Sequence, residues 1–242
     1  MDLTYRLTQW LWDGLDWLYP PVCAGCERPG FRWCPDCQER VVPLSKPICD
    51  ICGTPQRNSG VCAACQAGKP PYLALRSWVV FEGPIRNALH WLKYRRNIVL
   101  GDTLAHPLTE YVVGLNWPVN MVVPVPLGQK RMKERGYNQV GLVARPIAAM
   151  TGWEYAPGAL TRARETKSQV GLSAVERQEN MQGAFRSDPQ LVTGRTVLLL
   201  DDVVTTGATL KACADALLSS NAQAVYALTI ARALSHHGLE IV

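Results

Sequence analysis

Short, unbroken apolar runs are the first feature of this chain, and they are separated by stretches with a different spacing of apolar residues. Runs of this kind between turn-forming residues are typical of buried strands. They predict strands at residues 76–82, 121–125, 197–200 and 224–231. We expect the third of these strands to stop at Leu200.

Between those runs, apolar residues recur every three or four positions, which is the spacing of one face of a helix. Pro84 opens such a segment, because proline is favoured at the first positions of a helix. Ile85 and Leu92 lie on the apolar face of this helix. Asp102 is expected to cap a second helix that runs toward Val113.

Two further helices complete the pattern, one starting near Gln139 with a kink at Pro146, the other at residues 208–218. The alternation of strands and helices predicts an α/β fold with a mainly parallel sheet. Ligands of such sheets bind beyond the carboxyl ends of the strands. Polar residues that follow the predicted strands are therefore candidates for a binding site.

A leucine stripe at helical spacing precedes these elements and predicts an amphipathic helix over residues 1–22. Leu3, Leu7, Leu11 and Leu18 form the stripe. A helix of this kind can lie on a membrane surface, but its polar face carries three aspartates and a single arginine. We therefore expect it to pack against the body of the protein.

Nine cysteines are present, and eight of them form four C-x-x-C pairs. Two such pairs can direct four sulfurs at one tetrahedral Zn²⁺ ion, so the pattern predicts two structural zinc sites. The predicted ligands are Cys23, Cys26, Cys34, Cys37, Cys49, Cys52, Cys62 and Cys65. Sequential grouping is the simplest arrangement, and an interleaved grouping also fits the spacing. Disulfides are the rival interpretation, which a reducing compartment disfavours.

The cysteine region, residues 23–68, is too rich in proline, glycine and polar residues to build a core of its own. Metal binding would therefore supply its folding energy. The sequence predicts a double zinc ribbon here, then a Lys-Pro-Pro linker, then a larger domain at residues 72–235. The ribbons act either as a structural staple or as a contact surface for nucleic acid. The ninth cysteine, Cys213, is at helical spacing with leucines and is predicted to be a core residue.

The formal net charge of +5 is concentrated in three segments. Residues 83–101 carry four basic residues and no acidic one, and residues 128–136 carry four basic residues against one glutamate. A third basic segment spans residues 161–186. Such concentrations suggest a phosphate-rich or nucleic-acid ligand, although each segment is also compatible with ordinary solvated surface.

The sequence contains no signal for a membrane or for secretion. No stretch approaches the roughly 20 apolar residues of a transmembrane helix. The first residues also lack the basic and then apolar pattern of a secretory signal. We therefore expect a cytoplasmic protein.

The strand predicted at residues 197–200 leads into a polar segment, DDVVTTGAT. Its glycine lets consecutive backbone N–H groups point inward at the start of a helix, and this arrangement favours an anion. Three threonine hydroxyls add donors, and the lysine of an ATP-type loop is missing. Two carboxylates beside a phosphate site can accept hydrogen bonds from a sugar diol. The segment therefore predicts a site for ribose 5-phosphate.

The stretch LLLDDVVTTGAT also resembles the phosphoribosyl pyrophosphate (PRPP) motif of type I phosphoribosyltransferases. The resemblance implies that the adjacent acids contact the ribose hydroxyls and that the turn after them holds the 5-phosphate. The residues that it assigns are Asp201, Asp202, Thr205, Thr206, Gly207, Ala208 and Thr209.

Features along nearly the whole chain resemble the ComF family of competence-associated proteins. They are the four cysteine pairs, the segment VPVPL with the basic residues and RGYNQ after it, and residues 162–185. The resemblance implies a type I phosphoribosyltransferase fold behind a small zinc-ribbon module, and a link to DNA uptake and natural transformation. It also implies a homodimer or a partner in the DNA-uptake machinery.

Transfer of a phosphoribosyl group requires cations near the departing diphosphate and exclusion of water. Mg²⁺ usually bridges such oxygens with few protein ligands. We expect basic residues after the strand at 121–125 to serve the diphosphate side, and basic residues further on to belong to a lid. The candidates are Lys130, Arg131 and Arg135 for the first role and Arg164, Lys167 and Arg177 for the second.

Two classes of function fit these features. In the first, the protein is an enzyme that transfers phosphoribosyl to an acceptor, although the sequence shows no general base and no signature for a nucleobase. In the second, it binds single-stranded DNA through its basic segments and ribbons, with PRPP as ligand or regulator. A transcription regulator that senses PRPP is a third reading, for which the sequence offers no helix-turn-helix.

Overall fold

A five-stranded sheet lies at the centre of the computed structural model, which describes residues 20–95, 98–163 and 183–234. The strands of the chain are β1 (Ala74–Val80), β2 (Met121–Pro124), β3 (Glu154–Tyr155), β4 (Leu160–Arg162), β5 (Phe185–Ser187), β6 (Thr196–Val204) and β7 (Ala224–Arg232). Five of them run parallel in the order β1-β7-β6-β2-β3, and β4 and β5 form a separate antiparallel pair. The parallel sheet confirms the predicted α/β fold.

Helices connect the strands and cover both faces of the sheet. They are α1 (Pro35–Glu39), α2 (Ala63–Ala67), α3 (Gly83–Tyr94), α4 (Ile98–Val113), α5 (Gln129–Arg135), α6 (Gln139–Thr151), α7 (Pro189–Val192) and α8 (Ala208–Ser219). Leu198 and Leu200 of β6 join the core with α3, α4 and α6, whereas Val197 and Leu199 join the core with α8. Burial on both faces explains why this run is apolar throughout. Cys213 is fully buried on α8, as predicted for a core residue.

Several element boundaries differ from those that the sequence predicts. Asp102 lies inside α4 instead of capping it, because the helix already includes Ile98. Strand β1 begins two residues earlier than expected, since Ala74 already pairs with Tyr226 of β7. Within the ranges that the structure describes, every helix falls short of the length and hydrophobicity needed to cross a bilayer.

The cysteine region consists of two similar units. In each unit a positive φ follows the first C-x-x-C pair, at Glu27 (62°) in one and at Gly53 (67°) in the other. The third cysteine of each unit directly precedes a short helix, α1 or α2. In both units its N–H donates to the sulfur of the first cysteine at 3.3 Å. The two units therefore share a local architecture, which the sequence shows only as repeated cysteine pairs.

The second cysteine unit and the segment before it cover the open edge of β1. The Leu75 N–H donates to the Ile51 carbonyl at 2.6 Å, and the Val80 N–H donates to the Val42 carbonyl at 2.8 Å. Gly53 leaves no room for a side chain, because a Cβ atom there would collide with the Leu75 carbonyl oxygen. Unpaired edge strands invite pairing with other chains, so this cover protects one side of the sheet.

The first cysteine unit packs on α3. The side-chain amide of Asn87 donates to the Gly25 carbonyl at 2.9 Å. A Cβ atom at Gly25 would lie 2.8 Å from Pro84, so the unit approaches the start of the helix closely. The two units thus contact different parts of the larger domain, the first a helix and the second the edge of the sheet.

Candidate functional site

The carboxyl ends of β2 and β6 meet at the centre of the sheet. The two strands are neighbours, with Pro124 paired to Leu200, and the chain leaves them in opposite directions. Strand β2 leads through α5 and α6 to β3, whereas β6 leads through α8 to β7 on its other side. Ligands of open parallel sheets bind at such a switch point. The predicted site residues follow these two strands.

Asp201 and Asp202 lie inside β6, so the prediction that this strand stops at Leu200 is wrong. The strand runs on to Val204 because β7 continues beside it and pairs Thr229 with Asp201. The acids are therefore held by the sheet itself and do not stand on a free loop. Asp201 is half-buried, and Asp202 is only 7% exposed.

Asp202 makes a chain of contacts that reaches two helices. Lys93 Nζ, near the end of α3, lies 3.1 Å from Asp202 Oδ2. Gln139 Nε2, at the start of α6, donates to the same oxygen at 2.8 Å. Arg135, the last residue of α5, donates to Gln139 Oε1 at 2.8 Å. The buried carboxylate is therefore contacted directly by a cation from α3 and linked through Gln139 to a cation from α5.

The two acids differ in their charge states. Burial, and then the charge of Asp202, raise the pKa of Asp201 to about 7. Burial also acts to raise the pKa of Asp202, but the charge of Lys93 and the hydrogen bond from Gln139 outweigh it and lower that pKa below its usual value. Near neutral pH the site therefore presents one ionised carboxylate beside a group that can hold a proton.

The threonine-rich turn forms the start of α8. Gly207 has a φ of 78° and directly precedes the helix, so the turn uses the left-handed conformation that glycine adopts without strain. The Ala208 N–H donates to the Thr206 hydroxyl at 3.4 Å. Thr205 and Thr209 are half-buried and Thr206 is exposed. The N–H groups and hydroxyls at the N-terminus of this 12-residue helix are donors of the kind that suit an anion.

Among the basic candidates, Arg135 has the firmest place in the site. It is half-buried and bonded to Gln139, whereas Lys130 and Arg131 are exposed on α5. A cavity of about 210 Å³ lies between α3 and α5, and its lining residues are Lys93, Tyr94, Arg131, Glu134 and Arg135. The three predicted lid residues, Arg164, Lys167 and Arg177, lie outside the described residues.

Lys93 and Gln139 are the site residues that the sequence did not assign. Lys93 is far from Asp202 in the chain, and its only sequence signal is its place in the basic segment 83–101. Gln139 ends the RGYNQ segment, which the family resemblance included without giving this residue a role. Both side chains reach Asp202 only because α3 and α6 pack on the same face of the sheet.

The eight paired cysteines form two groups of four, and the grouping is the sequential one. The groups are Cys23, Cys26, Cys34 and Cys37, and Cys49, Cys52, Cys62 and Cys65. Within each group the sulfurs lie within 4.8 Å of one another, and three pairs are separated by 3.6, 3.6 and 3.7 Å. Zn–S bonds of about 2.3 Å in a tetrahedron give sulfur–sulfur distances of roughly 3.8 Å. The all-sulfur donor sets therefore fit Zn²⁺.

The first cysteine of each unit is the one most easily ionised. Burial acts to raise the pKa of both thiols, but backbone N–H donors outweigh it. They lower the pKa of Cys23 to about 7 and that of Cys49 to about 6. Metal binding requires thiolates, and the backbone N–H donors favour that form of the first cysteine in both units.

Comparisons with known proteins match both halves of the chain. A family described as a double zinc ribbon domain matches residues 14–66, and one described as a phosphoribosyl transferase domain matches residues 141–239. The DNA utilization protein YhgH of Escherichia coli (strain K12) is 33% identical over 226 residues, which cover 89% of this chain and 98% of that protein.

Two further relatives carry names from competence. Competence protein F of Haemophilus influenzae is 27% identical, with 83% of this chain and 90% of the relative covered. Competence protein ComFC of Bacillus subtilis is 26% identical, with 85% and 86% covered. Among solved structures, a glutamine PRPP amidotransferase from B. subtilis complexed with ADP and GMP matches with 19% identity and a TM-score of 0.35, over 57% of this chain and 26% of that one.

The similarity to the Escherichia coli protein extends over nearly the full length of that relative. The matched zinc ribbon coincides with the two cysteine groups, and the matched transferase domain includes β6, α8 and their polar residues. This chain therefore belongs to the ComF family, in which a double zinc ribbon is joined to a phosphoribosyl transferase domain.

Proposed function

We propose that this chain binds PRPP with Mg²⁺ between β2 and β6 and transfers its phosphoribosyl group to an acceptor. The proposal rests on one observation: a carboxylate held by a lysine, a second acid and a threonine-rich turn occupy the same switch point of the sheet. A ribose 5-phosphate needs acceptors for its hydroxyls and donors for its phosphate. The end of β6 offers the first set, and the start of α8 offers the second.

Each part of the site has a distinct role in this proposal. Asp202 stays ionised beside Lys93 and accepts a hydrogen bond from one ribose hydroxyl, and Asp201 serves the neighbouring hydroxyl. The turn at residues 205–209 donates to the 5-phosphate through backbone N–H groups and threonine hydroxyls. In this arrangement the end of β6 binds the ribose hydroxyls and the start of α8 binds the 5-phosphate, so that C1 stays accessible to an acceptor.

Loss of diphosphate leaves positive character on C1 of the ribose and negative charge on the leaving group. Lys93, Arg131 and Arg135 line the cavity between α3 and α5, so they can neutralise that negative charge. Mg²⁺, when bound together with PRPP, would supply further positive charge to stabilise the departing diphosphate. The residues of this chain thus hold the sugar, and the cavity cations stabilise the departing group.

Calorimetric titration with PRPP and Mg²⁺ tests this proposal. The wild type should bind, and Asp201→Asn/Asp202→Asn should lose binding because the ribose acceptors are weakened. Asp215→Asn is the matched control, since it removes an exposed acid from α8 beyond the turn. Binding by the control together with loss in the double variant supports the proposal. A wild type that does not bind PRPP contradicts it.

A second candidate function is binding of single-stranded DNA. A row of rings and cations on α3 and α5 favours it. Tyr94 is 62% exposed, and the centroid of its ring lies 4.7 Å from the centroid of the His90 ring. The Arg135 guanidinium lies 5.2 Å from the centroid of the Tyr94 ring. Trp91 itself is only 8% exposed, and the Arg95 guanidinium lies over its ring, 4.4 Å from the centroid. Exposed aromatic rings among cations are what single strands stack on, and the names of the relatives refer to DNA utilization and competence.

Fluorescence anisotropy with a labelled oligodeoxythymidine separates this candidate from the first. Binding should weaken steeply between about 50 and 200 mM salt, because phosphate contacts release counterions. Tyr94→Ala and Arg95→Ala should each weaken it, whereas Arg145→Ala, which removes an exposed cation from α6, should not. This second function loses its support if the affinity for the oligonucleotide does not depend on salt concentration, or if Tyr94→Ala leaves that affinity unchanged.

A further inference from the structure

The second cysteine unit contacts the carboxyl end of the sheet through a buried arginine. Arg232 is the last residue of β7 and is 4% exposed. Its guanidinium donates to the Thr54 hydroxyl at 3.1 Å and to the Cys52 carbonyl. Cys52 Sγ in turn contacts the Thr54 hydroxyl at 3.2 Å. Arg232 therefore holds the loop that carries one of the metal-binding sulfurs.

The same arginine is linked to the threonine-rich turn. It pairs in register with Val204, the last residue of β6, and the Ala233 N–H donates to the Val204 carbonyl at 3.0 Å. The turn at residues 205–209 starts directly after Val204. Arg232 therefore contacts the loop that carries Cys52 through its side chain, and through its backbone it lies beside the residue from which the turn leaves the sheet.

Tyr72 lies on a second route between the cysteines and the turn. It is fully buried, and a Cβ atom at Gly207 would lie 3.5 Å from its hydroxyl oxygen. Tyr72 belongs to the same buried cluster as Ala208, and Ile51 of the second cysteine unit packs against that cluster. The ring is therefore part of a packed core that contacts both the second cysteine unit and the start of α8.

Hydrogen bonds make the link sensitive to metal. Among the described residues, no carboxylate forms an ion pair with Arg232, and its Nε has no hydrogen-bond partner. A Zn²⁺ ion bound by the second cysteine group would fix the loop that presents the Cys52 carbonyl and the Thr54 hydroxyl to the guanidinium. Without the metal this loop is released, and the buried guanidinium loses the acceptors that the loop supplies, which is a costly state.

We propose that Arg232 is a positioning residue through which metal in the second cysteine group sets the shape of the phosphate-binding turn. The first group contacts α3 and has no such route to the turn among the described residues. The assignment of the turn to phosphate rests on the function proposed above. The conformational link between metal and turn does not depend on that function.

Amide hydrogen exchange at residues 205–211 tests the link on the full chain. Cys62→Ser and Cys34→Ser are matched, because these cysteines occupy the same place before α2 and α1. Each variant should lose one zinc. Exchange at the turn should accelerate about tenfold or more, equivalent to about 1.4 kcal/mol, in Cys62→Ser and stay unchanged in Cys34→Ser. Equal exchange in both variants overturns the proposal.

Arg232→Met provides a second variant in case loss of a metal ligand unfolds the chain. It should keep both zinc ions, as measured by metal analysis, and still show the faster exchange at the turn. Wild-type exchange in this variant overturns the proposal. Because coupling is reciprocal, ribose 5-phosphate should also raise the affinity for one zinc, measured at equilibrium by competition with a chelator, in the wild type but not in Arg232→Met. If Arg232 had only a structural role, ribose 5-phosphate would have the same effect on zinc binding in Arg232→Met as in the wild type.

The two proposals fail in different ways. If the wild type does not bind PRPP, the proposed function is contradicted, and the exchange experiment still decides the link between metal and turn. If the wild type binds PRPP and Arg232→Met leaves exchange and zinc affinity unchanged, the link is refuted while the proposed function stands. Support for both requires weaker ribose 5-phosphate binding in Cys62→Ser and Arg232→Met than in Cys34→Ser.

Discussion

Two neighbouring aspartates in one strand have opposite electrostatic environments. Asp202 has Lys93 and Gln139 on its carboxylate, whereas Asp201 has the charge of Asp202 beside it. An acid whose pKa is raised on folding binds its proton more tightly in the folded state than in the unfolded state. The free energy of unfolding therefore falls as Asp201 ionises, and this fall can be measured as a function of pH.

Asp201→Asn should change the dependence of stability on pH. The pKa of Asp201 rises from the usual acid range to about 7 in the folded protein, so the unfolded state loses its proton first and wild-type stability falls from about pH 4 to about pH 7. The variant lacks this fall. At pH 8 its melting temperature should exceed that of the wild type by about 2–4 °C per kcal/mol recovered. Parallel profiles from pH 4 to pH 8 would show that Asp201 ionises normally.

Lys93→Met should weaken PRPP binding by about tenfold or more. Without the ammonium group, the buried Asp202 carboxylate loses its counter-ion, its pKa rises, and it becomes a poorer acceptor for a ribose hydroxyl. Calorimetry measures the change. Lys93→Arg should retain most of the affinity because the charge remains. Lys133→Met is the control, since Lys133 is exposed on α5 and does not line the cavity. Equal losses in Lys93→Met and Lys133→Met would indicate a general charge effect.

At the scale of elements, the turn before α8 depends on one backbone conformation. Gly207→Ala should destabilise the protein by about 1–2 kcal/mol, because its φ of 78° is left-handed and a Cβ atom there is strained. Gly152, with a φ of 75° after α6, carries the same backbone cost away from the site. Both alanine variants should lose similar stability in denaturant titrations, and only Gly207→Ala should also weaken ribose 5-phosphate binding. Weaker binding in both would assign the effect to stability alone.

Elements that have an apolar run or a helical spacing of apolar residues could be predicted from the sequence. Element boundaries that depend on pairing with a neighbouring strand could not. The helix starting at Gln139 and the strand at 121–125 agree with α6 and β2 within a residue. Strands β3, β4 and β5 have two or three residues each, too few to show a period. The end of β6 was misplaced because β7 extends it past the apolar run, and no local signal marks such pairing.

The candidate site divides in the same way. Its acids and its turn stand in one continuous segment, so they were identifiable from residue type and spacing. Lys93 and Arg232 were not, because their partners are brought to them by the packing of α3 on the sheet and of the second cysteine unit on β7. A basic residue in a sequence carries no mark of which acid or carbonyl it will meet. The division of the chain at residues 69–71 stays a prediction.

At the scale of the whole molecule, the second cysteine unit and the segment before it form part of the sheet's boundary. Chelation of zinc should lower the melting temperature and cause self-association, because the segment that pairs with Leu75 and Val80 would leave the edge of β1. Light scattering and size-exclusion chromatography with and without added zinc measure this effect. Leu73→Lys, a charge just before the edge, should suppress association of the metal-free protein without restoring its melting temperature. A metal-free wild type that keeps the oligomeric state of the zinc-loaded protein would contradict this account.

The cover over β1 also has a consequence for the newly made chain. Val42 and Ile51 precede residues 74–80 in sequence, so a ribosome releases the protective segment before the strand that needs it. When zinc is available during translation, the cover can fold before the strand emerges and protect this edge, and only the opposite edge waits for β7. When zinc is short, each nascent chain emerges with an unpaired strand, and neighbouring chains become its partners. We therefore expect the yield of this protein to follow zinc supply during its synthesis, and zinc added to the finished chains to recover only part of what was lost.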